Sequence, residues 1–219
     1  MLKNYFNKIN VKAYLYHAFF ETLAVVLSEI GIGCYYTASV GADPISVFVE
    51  GVSFHCSLTV GEISTVCNIV LSVLMILFLR DQFDLGTFIQ VLIAGPSIDF
   101  FYGLLMKYFP PETTAMPIRI VIFIFGLVIF ALGLALSIRA SLGVGPFSFP
   151  PLIMAKITPI SLKYTQIITD ACFFITGAIL GGVVGLGTVA SVLLTGPLMD
   201  FFMSKFEPYI ASVGEPYKK

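Results

Sequence analysis

The sequence predicts an all-α membrane protein: a polytopic helix bundle made of two related copies of three membrane spans. Three observations predict it, namely an unusually apolar composition, six long apolar stretches, and a repeat that relates the two halves of the chain. Of the 219 residues, 58% are hydrophobic and 11% are charged. A soluble domain has roughly 45–50% apolar and about 25% charged residues. The composition therefore excludes a soluble enzyme, a disordered protein and a disulfide-rich secreted domain.

Charge and motif content narrow the functional classes further. The net charge is −1, which argues against a nucleic-acid partner that needs a basic surface. The sequence contains no glycine-rich phosphate loop, zinc-ligand spacing or serine-hydrolase motif. We therefore expect no enzymatic activity, no catalytic residue, no cofactor, no metal site and no nucleic-acid partner.

A membrane-spanning helix needs about 20 mostly apolar residues. The stretches that meet this requirement are 15–38, 60–79, 86–106, 117–138, 163–183 and 187–206. They divide the chain into a cytoplasmic N-terminal segment, a first repeat, a linker, a second repeat and a cytoplasmic C-terminal tail, at 1–14, 15–109, 110–116, 117–206 and 207–219.

Two shorter segments, 43–57 and 146–159, lie between spans of the same copy. About 14 helical residues cover only about 21 Å of a ~30 Å hydrocarbon core. Each segment begins at a Gly-x-x-Pro sequence, which places proline in the first helical turn. We therefore expect a short re-entrant or interfacial helix in each copy.

The repeat is visible as identical residues at a fixed offset. The pattern Ser-x-Gly-x-x-Pro-x-Ser occurs at 39–46 and again at 141–148, and nine of the sixteen positions in 86–101 are identical to those in 187–202. Because each copy has three spans, the second copy enters the membrane in the opposite orientation. The sequence therefore predicts inverted repeats.

The basic residues give the orientation. With both termini in the cytoplasm, ten of the twelve lie inside and two outside, which is a strong positive-inside bias. Those inside are Lys3, Lys8, Lys12, Arg80, Arg139, Lys156, Lys163, Lys205, Lys218 and Lys219, and those outside are Lys107 and Arg119. Eight spans with parallel repeats would give the same tally, so only the shortness and polarity of the two intervening segments favour six.

Polar residues inside the spans are the candidate binding residues, since each is costly in hydrocarbon unless it has a partner or a function. Asn68 and Asp170 match at an offset of 102 and lie near the middle of the second and fifth spans. An inverted repeat would bring both to a central cavity. The alternative is a helix–helix hydrogen bond.

Glu29 lies within the first span, and its counterpart in the second copy is Ala131. A lone carboxylate at this depth suits proton exchange between a cavity and either surface. Pairing with Arg139 or His17 is the structural alternative. Glu21, one to two turns nearer the cytoplasm, is expected at the interface.

The third and sixth spans each contain a Gly-Pro pair followed by an aspartate. The residues are Gly95, Pro96 and Asp99 in one span and Gly196, Pro197 and Asp200 in the other. Proline frees the carbonyl four residues earlier, and a freed carbonyl beside a carboxylate resembles a cation or substrate site. The alternative is that the pair only shapes helix packing.

The breaks before the two short segments place new helix N-termini near the predicted cavity. These positions are Gly41, Pro44 and Ser46 in one copy and Gly143, Pro146 and Ser148 in the other. Free amides at a helix N-terminus attract anions. Asp43 is positioned to cap its own helix, so the second terminus is the better anion site. Ordinary surface turns are the alternative.

These same turns and the two Gly-Pro-x-x-Asp-Phe-Phe runs carry a family resemblance. Over roughly residues 15–206 the chain resembles the YczE/YitT group of small bacterial membrane proteins, and the YczE branch most closely. The resemblance implies a bacterial plasma membrane and carries over no known substrate or catalytic residue.

The leading functional hypothesis is a secondary transporter that alternates access to a small polar, amine-bearing or zwitterionic solute at the repeat interface. Coupling to H⁺ or Na⁺ is part of this hypothesis, and the other expected partner is the lipid bilayer. A passive channel and a non-transporting scaffold or accessory subunit are the alternatives. The sequence does not indicate an oligomeric state.

Overall fold

The computed structural model describes residues 10–211, with side chains described for residues 10–206. All regular structure within these residues is helical, which confirms the all-α prediction. The α-helices are α1 (Val11–Ala38), α2 (Pro44–Ser53), α3 (Val60–Phe78), α4 (Leu85–Tyr108), α5 (Met116–Ala140), α6 (Phe149–Ile157), α7 (Leu162–Ile179) and α8 (Leu186–Ala211). The 3-10 turns Arg80–Gln82 and Pro146–Ser148 precede α4 and α6.

The outer bounds of the bundle differ slightly from the predicted spans. The first helix begins at Val11 because the Asn10 side chain accepts a hydrogen bond from the amide of Ala13. The last helix continues to Ala211, past the predicted end at 206. Residues 1–9 and 212–219 of the predicted cytoplasmic segments lie outside the described residues.

Among the described residues, five helices are long and apolar enough to cross a membrane: α1, α3, α4, α5 and α8. The predicted fifth span forms α7, which has 18 residues and is not in this group. Its length gives a rise of about 27 Å. Lys163, Gln166 and Asp170 lower its hydropathy, so this helix is the most polar of the six predicted spans.

The two short segments form short helices, as predicted. Proline lies in the first turn of both α2 and α6, which have 10 and 9 residues. Ten residues rise about 15 Å, half of a ~30 Å core. Neither helix can therefore cross a membrane, which favours six spans over eight.

The turns that lead into these short helices have matching backbone conformations. Among the residues that the structure describes, the non-glycine residues with positive φ are Ser39 and Ser141, and Gly41 and Gly143 follow with φ of 105° and 92°. A β-carbon on Gly41 would lie 2.8 Å from the amide of Thr188, and one on Gly143 would lie 3.0 Å from the amide of Asp84. Each turn therefore requires glycine and docks onto a helix start of the other copy.

Helices α1 and α5 run antiparallel and pack closely at the centre of the bundle. A β-carbon on Gly31 would lie 2.7 Å from the carbonyl oxygen of Gly126, and one on Gly133 would lie 2.7 Å from that of Ala24. Small residues at such contacts allow two membrane helices to approach closely. These four positions form two pairs that are 102 residues apart, 24 with 126 and 31 with 133.

Basic side chains of each copy cap helix ends of the other. The Arg119 guanidinium donates to the carbonyls of Ala38 and Ser39 at the end of α1, and the His17 ring nitrogen Nδ1 lies 2.7 Å from the carbonyl oxygen of Ala140 at the end of α5. Positions 17 and 119 differ by 102, as do 38 and 140. Carbonyls at a helix C-terminus lack partners within the helix, and side chains of the other copy lie against them here.

At a second pair of helix ends, a side chain of one copy again caps a helix of the other copy. The Lys156 ammonium donates to the carbonyl of Phe78 at the end of α3, at 3.0 Å. The His55 ring nitrogen Nε2 lies 3.1 Å from the carbonyl oxygen of Leu180 at the end of α7. Positions 78 and 180 are again 102 apart. The copies are therefore joined by reciprocal contacts at both ends of the bundle.

Helix α3 shows how polarity is distributed in the bundle. Its exposed stripe consists of Val66, Ile69, Val70 and Val73, at the spacing of one helix face. Its buried residues include the polar Ser64, Asn68 and Ser72 together with the apolar Ile63 and Met75. The exposed stripe is apolar and these polar side chains are buried, as expected for a helix that faces lipid on one side and the protein interior on the other.

Candidate functional site

A cavity of about 160 Å³ lies between α1, α3, α4 and α5, at the N-terminus of α2. Its polar lining residues are Ser28, Glu29, Tyr36, Asp43, Ser46, Ser64, Asn68, Gln90 and Ser137. They come from five helices and from the loop before α2. Two of the buried polar residues of α3, Ser64 and Asn68, therefore line this cavity.

Glu29 projects into this cavity from the middle of α1. Only 8% of its surface is exposed, and its Oε2 atom has no hydrogen-bond partner among the described residues. The residue lies close to the midpoint of the antiparallel contact between α1 and α5. Since an unpartnered buried carboxylate is costly, this group needs a ligand, a proton or water.

Asp43 has two functions at the start of α2. Its Oδ2 atom accepts hydrogen bonds from the amides of Ile45 and Ser46, both at 3.2 Å, so the predicted cap is confirmed. Its Oδ1 atom is buried and has no partner among the described residues. One oxygen therefore holds the helix terminus, and the other remains available.

A second cavity of about 420 Å³ lies between α7 and α8 and shares Asp43 with the first. Gln166 donates to Asp170 Oδ1 at 2.8 Å and orients that carboxylate. Thr195 also lines the cavity, and its Oγ1 atom has no described partner. The rim residue Ile167 is 55% exposed, so the cavity reaches the surface of the bundle.

The charged residues that line the two cavities are all acidic. Among the residues that line the two cavities, Glu29, Asp43 and Asp170 are acidic and none is Lys, Arg or His. Carboxylates without basic partners favour the binding of a cation or the retention of a proton. The arrangement therefore suits cations better than anions.

The predicted pair Asn68 and Asp170 is divided between the two cavities. Asn68 lines the smaller one and is 3% exposed, whereas Asp170 lines the larger one. Asp43, Ile45 and Phe130 border both cavities and lie between them. The structure therefore places the two residues in adjacent cavities that share Asp43, instead of in one central cavity, and Glu29 lines the smaller cavity with Asn68.

The other predicted pair, Asp99 and Asp200, lies outside both cavities. Asp99 accepts hydrogen bonds from the Thr59 hydroxyl and, at 2.9 Å, from the amide of Gly61. It therefore secures the N-terminus of α3 against α4. Asp200 is exposed on α8.

The two Gly-Pro pairs have different surroundings. A β-carbon on Gly95 would lie 2.3 Å from the carbonyl oxygen of Gly61, so glycine permits close contact between α3 and α4. Pro96 lies inside α4. Gly196, beside Pro197 in α8, would place a β-carbon with nothing within 4 Å. The packing interpretation therefore fits Gly95, and the second pair lies in open surroundings.

The two helix breaks also differ. Pro44 lines the larger cavity and Ser46 the smaller one. In the second copy, Pro146 is buried in the short 3-10 turn, and neither Gly143 nor Ser148 is among the lining residues of the two cavities. Phe147 of this turn does line the smaller cavity, so the terminus predicted as the anion site borders that cavity through an apolar side chain.

Sequence analysis missed part of the polar interior. Glu21, expected at the interface, is 2% exposed and accepts hydrogen bonds from Gln90 and Ser137. Its partners come from α4 and α5, far away in sequence, so no local pattern could indicate them. The amide of Gln90 also contacts Gly145, which links this network to the second helix break.

Comparison with known families agrees with this architecture. A model described as a family of unknown function, DUF6198, matches residues 15–204. The chain belongs to the DUF6198 family. The match covers nearly all described residues, so both cavities lie within the family region. No solved structure is significantly similar to the chain.

Three curated bacterial proteins are similar to this DUF6198 chain. YyaS of Bacillus subtilis is 23% identical over 199 residues, which cover 91% of this chain and 96% of the relative. An uncharacterized Haemophilus influenzae protein is 25% identical over 195 residues, 87% of each chain. The uncharacterized membrane protein YczE of Bacillus subtilis is 24% identical over 163 residues, 74% of each. The resemblance to a YczE-like group of membrane proteins is thereby confirmed.

Proposed function

We propose that this protein is a secondary transporter for a small polar solute, coupled to H⁺ or Na⁺, and not an enzyme. The observation that carries the proposal is Glu29, a buried carboxylate that faces a polar cavity and whose Oε2 has no described partner. Ionisable groups inside membrane helices are costly, and they characteristically line solute or proton pathways.

The reciprocal contacts support inverted repeats. Antiparallel α1 and α5 exchange equivalent contacts, with the start of each helix capping the end of the other. Such an exchange is expected when a two-fold axis lies across the helices, which in a membrane means an axis in its plane. Glu29 lies near that axis, where transporters with inverted repeats bind their solutes.

The two copies differ in one respect that supports alternating access. Helices α3 and α4 pack closely, with Asp99 bonded to the start of α3. Their counterparts α7 and α8 make little direct contact within the described residues, and the larger cavity lies between them. In alternating access, the helices of one copy are packed together while those of the other copy are apart, and the two copies then exchange these arrangements. The close packing of α3 with α4 and the cavity between α7 and α8 fit one such state.

The positive-inside distribution supports the orientation. Ten of the twelve basic residues lie on one side if both termini are in the cytoplasm. The match to a bacterial membrane protein supports placement in the bacterial plasma membrane.

Proteoliposome uptake tests the proposal. The purified full chain is screened by thermal shift against the standard amino acids and simple primary amines, and stabilising compounds are then tested for uptake. Asp170→Asn should reduce uptake about tenfold or more, since it removes a charge in the larger cavity. The matched control is Asp81→Asn, which neutralises an exposed carboxylate outside both cavities.

The kinetics distinguish the transporter from its two alternatives. Saturable uptake with counterflow and a response to an ion gradient supports a coupled transporter. Non-saturating flux without counterflow would identify a channel. If no compound binds or moves, the chain is better described as an accessory subunit.

A further inference from the structure

We propose that Asp43 is a shared carboxylate that releases a proton when it binds the ammonium group of an amphipathic primary amine. The protein would then exchange one proton for one amine across the membrane. This inference rests on the proposed function and names the solute class and the coupling ion. It follows from the position of Asp43 between two cavities of different character.

Asp43 lies where the two cavities meet. It lines both of them, and its Oδ2 atom is fixed by the amides of Ile45 and Ser46. Its Oδ1 atom is buried and has no described partner. One immobile carboxylate can thus serve ligands that arrive from either cavity, but Oδ1 can hold only one of them at a time.

The smaller cavity suits a proton and water. Its lining includes hydroxyls and amides from Ser28, Ser64, Asn68 and Gln90 around the Glu29 carboxylate. With these polar groups on its wall, a cavity of about 160 Å³ has the partners that ordered water requires. Protons can therefore pass between Asp43 and Glu29 through hydrogen-bonded water.

The larger cavity suits an ammonium group with an apolar substituent. A primary ammonium has three N–H donors, and the residues that line this cavity include two carboxylates and one hydroxyl that can accept them, from Asp43, Asp170 and Thr195. The remaining lining includes Phe130 and Phe174, which can pack against an apolar substituent. A quaternary ammonium has no N–H donor and cannot make these hydrogen bonds.

The exchange is balanced in charge. Before binding, Asp43 carries the proton as a carboxylic acid; on binding, the O–H bond breaks, the proton leaves through the smaller cavity, and the carboxylate pairs with the ammonium. The titratable groups that interact with Asp43 are Tyr35, Tyr36 and Glu29 on α1 and Asp170 on α7. Burial of Asp43 and the neighbouring carboxylates of Asp170 and Glu29 favour retention of the proton until a cation replaces it, whereas the two tyrosines are neutral.

Proton release on binding tests this inference directly. Phenethylamine, a primary amine with an aromatic group, is added to the purified full chain in weakly buffered detergent solution at about pH 7, where the amine is protonated. A pH-indicator dye measures protons, and calorimetry measures binding. The wild type should release about one proton for each amine bound. N,N,N-trimethylphenethylammonium should bind about tenfold more weakly or worse.

Asp43→Asn is the informative variant because asparagine also caps helix N-termini well. It should keep the melting temperature, lose proton release and weaken phenethylamine binding about tenfold or more. Asp43→Glu restores the charge and should recover part of the proton release. Asp81→Asn should behave as wild type, since this exposed carboxylate lies outside both cavities.

The outcomes separate this inference from the proposed function. Amine binding without proton release, or proton release that survives Asp43→Asn, would overturn the exchange while leaving a transporter possible. Failure of phenethylamine to bind would overturn the assigned solute class, whereas the uptake screen would still decide whether any solute moves. Proton release that requires Asp43 and the primary ammonium supports the exchange.

Discussion

The contact between α1 and α5 gives a sharp test because two glycines of the chain form a matched pair. Gly31 lies in this contact, and a β-carbon there would lie 2.6 Å from Phe130 Cβ and 2.7 Å from the carbonyl oxygen of Gly126. Gly103 lies on α4, and a β-carbon there would have nothing within 4 Å. Replacement of each by alanine adds the same methyl group in opposite surroundings.

The two substitutions should change stability in opposite directions. For Gly31→Ala, the helices must separate by roughly 0.9 Å to restore ordinary carbon–carbon contact distances. Overpacking of this kind costs about 1–3 kcal/mol, and the higher helix propensity of alanine offsets up to about 1 kcal/mol of it. Two of the three atoms that this β-carbon would meet belong to the backbone of α5 and cannot move aside, so a cost in the upper part of that range applies. We expect a net loss of about 1–2 kcal/mol for Gly31→Ala and a gain of up to about 1 kcal/mol for Gly103→Ala.

Thermal unfolding in detergent measures both effects. For a chain of this size about 1 kcal/mol corresponds to about 2–4 °C in melting temperature. Gly31→Ala should therefore melt about 2–8 °C lower than wild type. A Gly31→Ala protein that melts at or above the wild-type temperature would refute the close α1–α5 contact on which the position of Glu29 depends.

Two further predictions concern the helix ends and the orientation. Asp99→Ala should lower the free energy of unfolding by about 1–3 kcal/mol, because a backbone amide and a hydroxyl lose their acceptor. The control Asp200→Ala, at an exposed position, should change it by less than about 0.5 kcal/mol. Thermal unfolding compares the two variants, and equal losses would contradict the structural role of Asp99. Cys56 and a Lys156→Cys variant, each as the sole cysteine, should react with an impermeant maleimide from opposite sides of the membrane. Labelling of both from the same side would contradict inverted repeats.

Much of the fold could be predicted because it depends on local patterns. Apolar length gives the spans, and a proline in the first turn gives the starts of α2 and α6. The identical turns around Gly41 and Gly143 correctly indicated equivalent backbone conformations. The polarity of α7 was underestimated, because its apolar length was counted although Lys163, Gln166 and Asp170 interrupt it.

The site was harder to predict because contacts between distant helices decide it. Sequence analysis identified Asn68, Asp170 and Glu29, which line the polar interior, from their cost in hydrocarbon. It could not distinguish Asp99 from these, since the Thr59 hydroxyl and the amide of Gly61 that bind it lie in another helix. It assigned Asp43 only a capping role because only the assembled bundle places its second oxygen between two cavities.

The exchanged caps have a consequence for biogenesis. When the first half of the chain has entered the bilayer, the carbonyls at the ends of α1 and α3 still lack the side chains of Arg119 and Lys156, which the ribosome has yet to add. The helix ends of the first copy therefore gain these contacts only after the second copy has been synthesised and inserted.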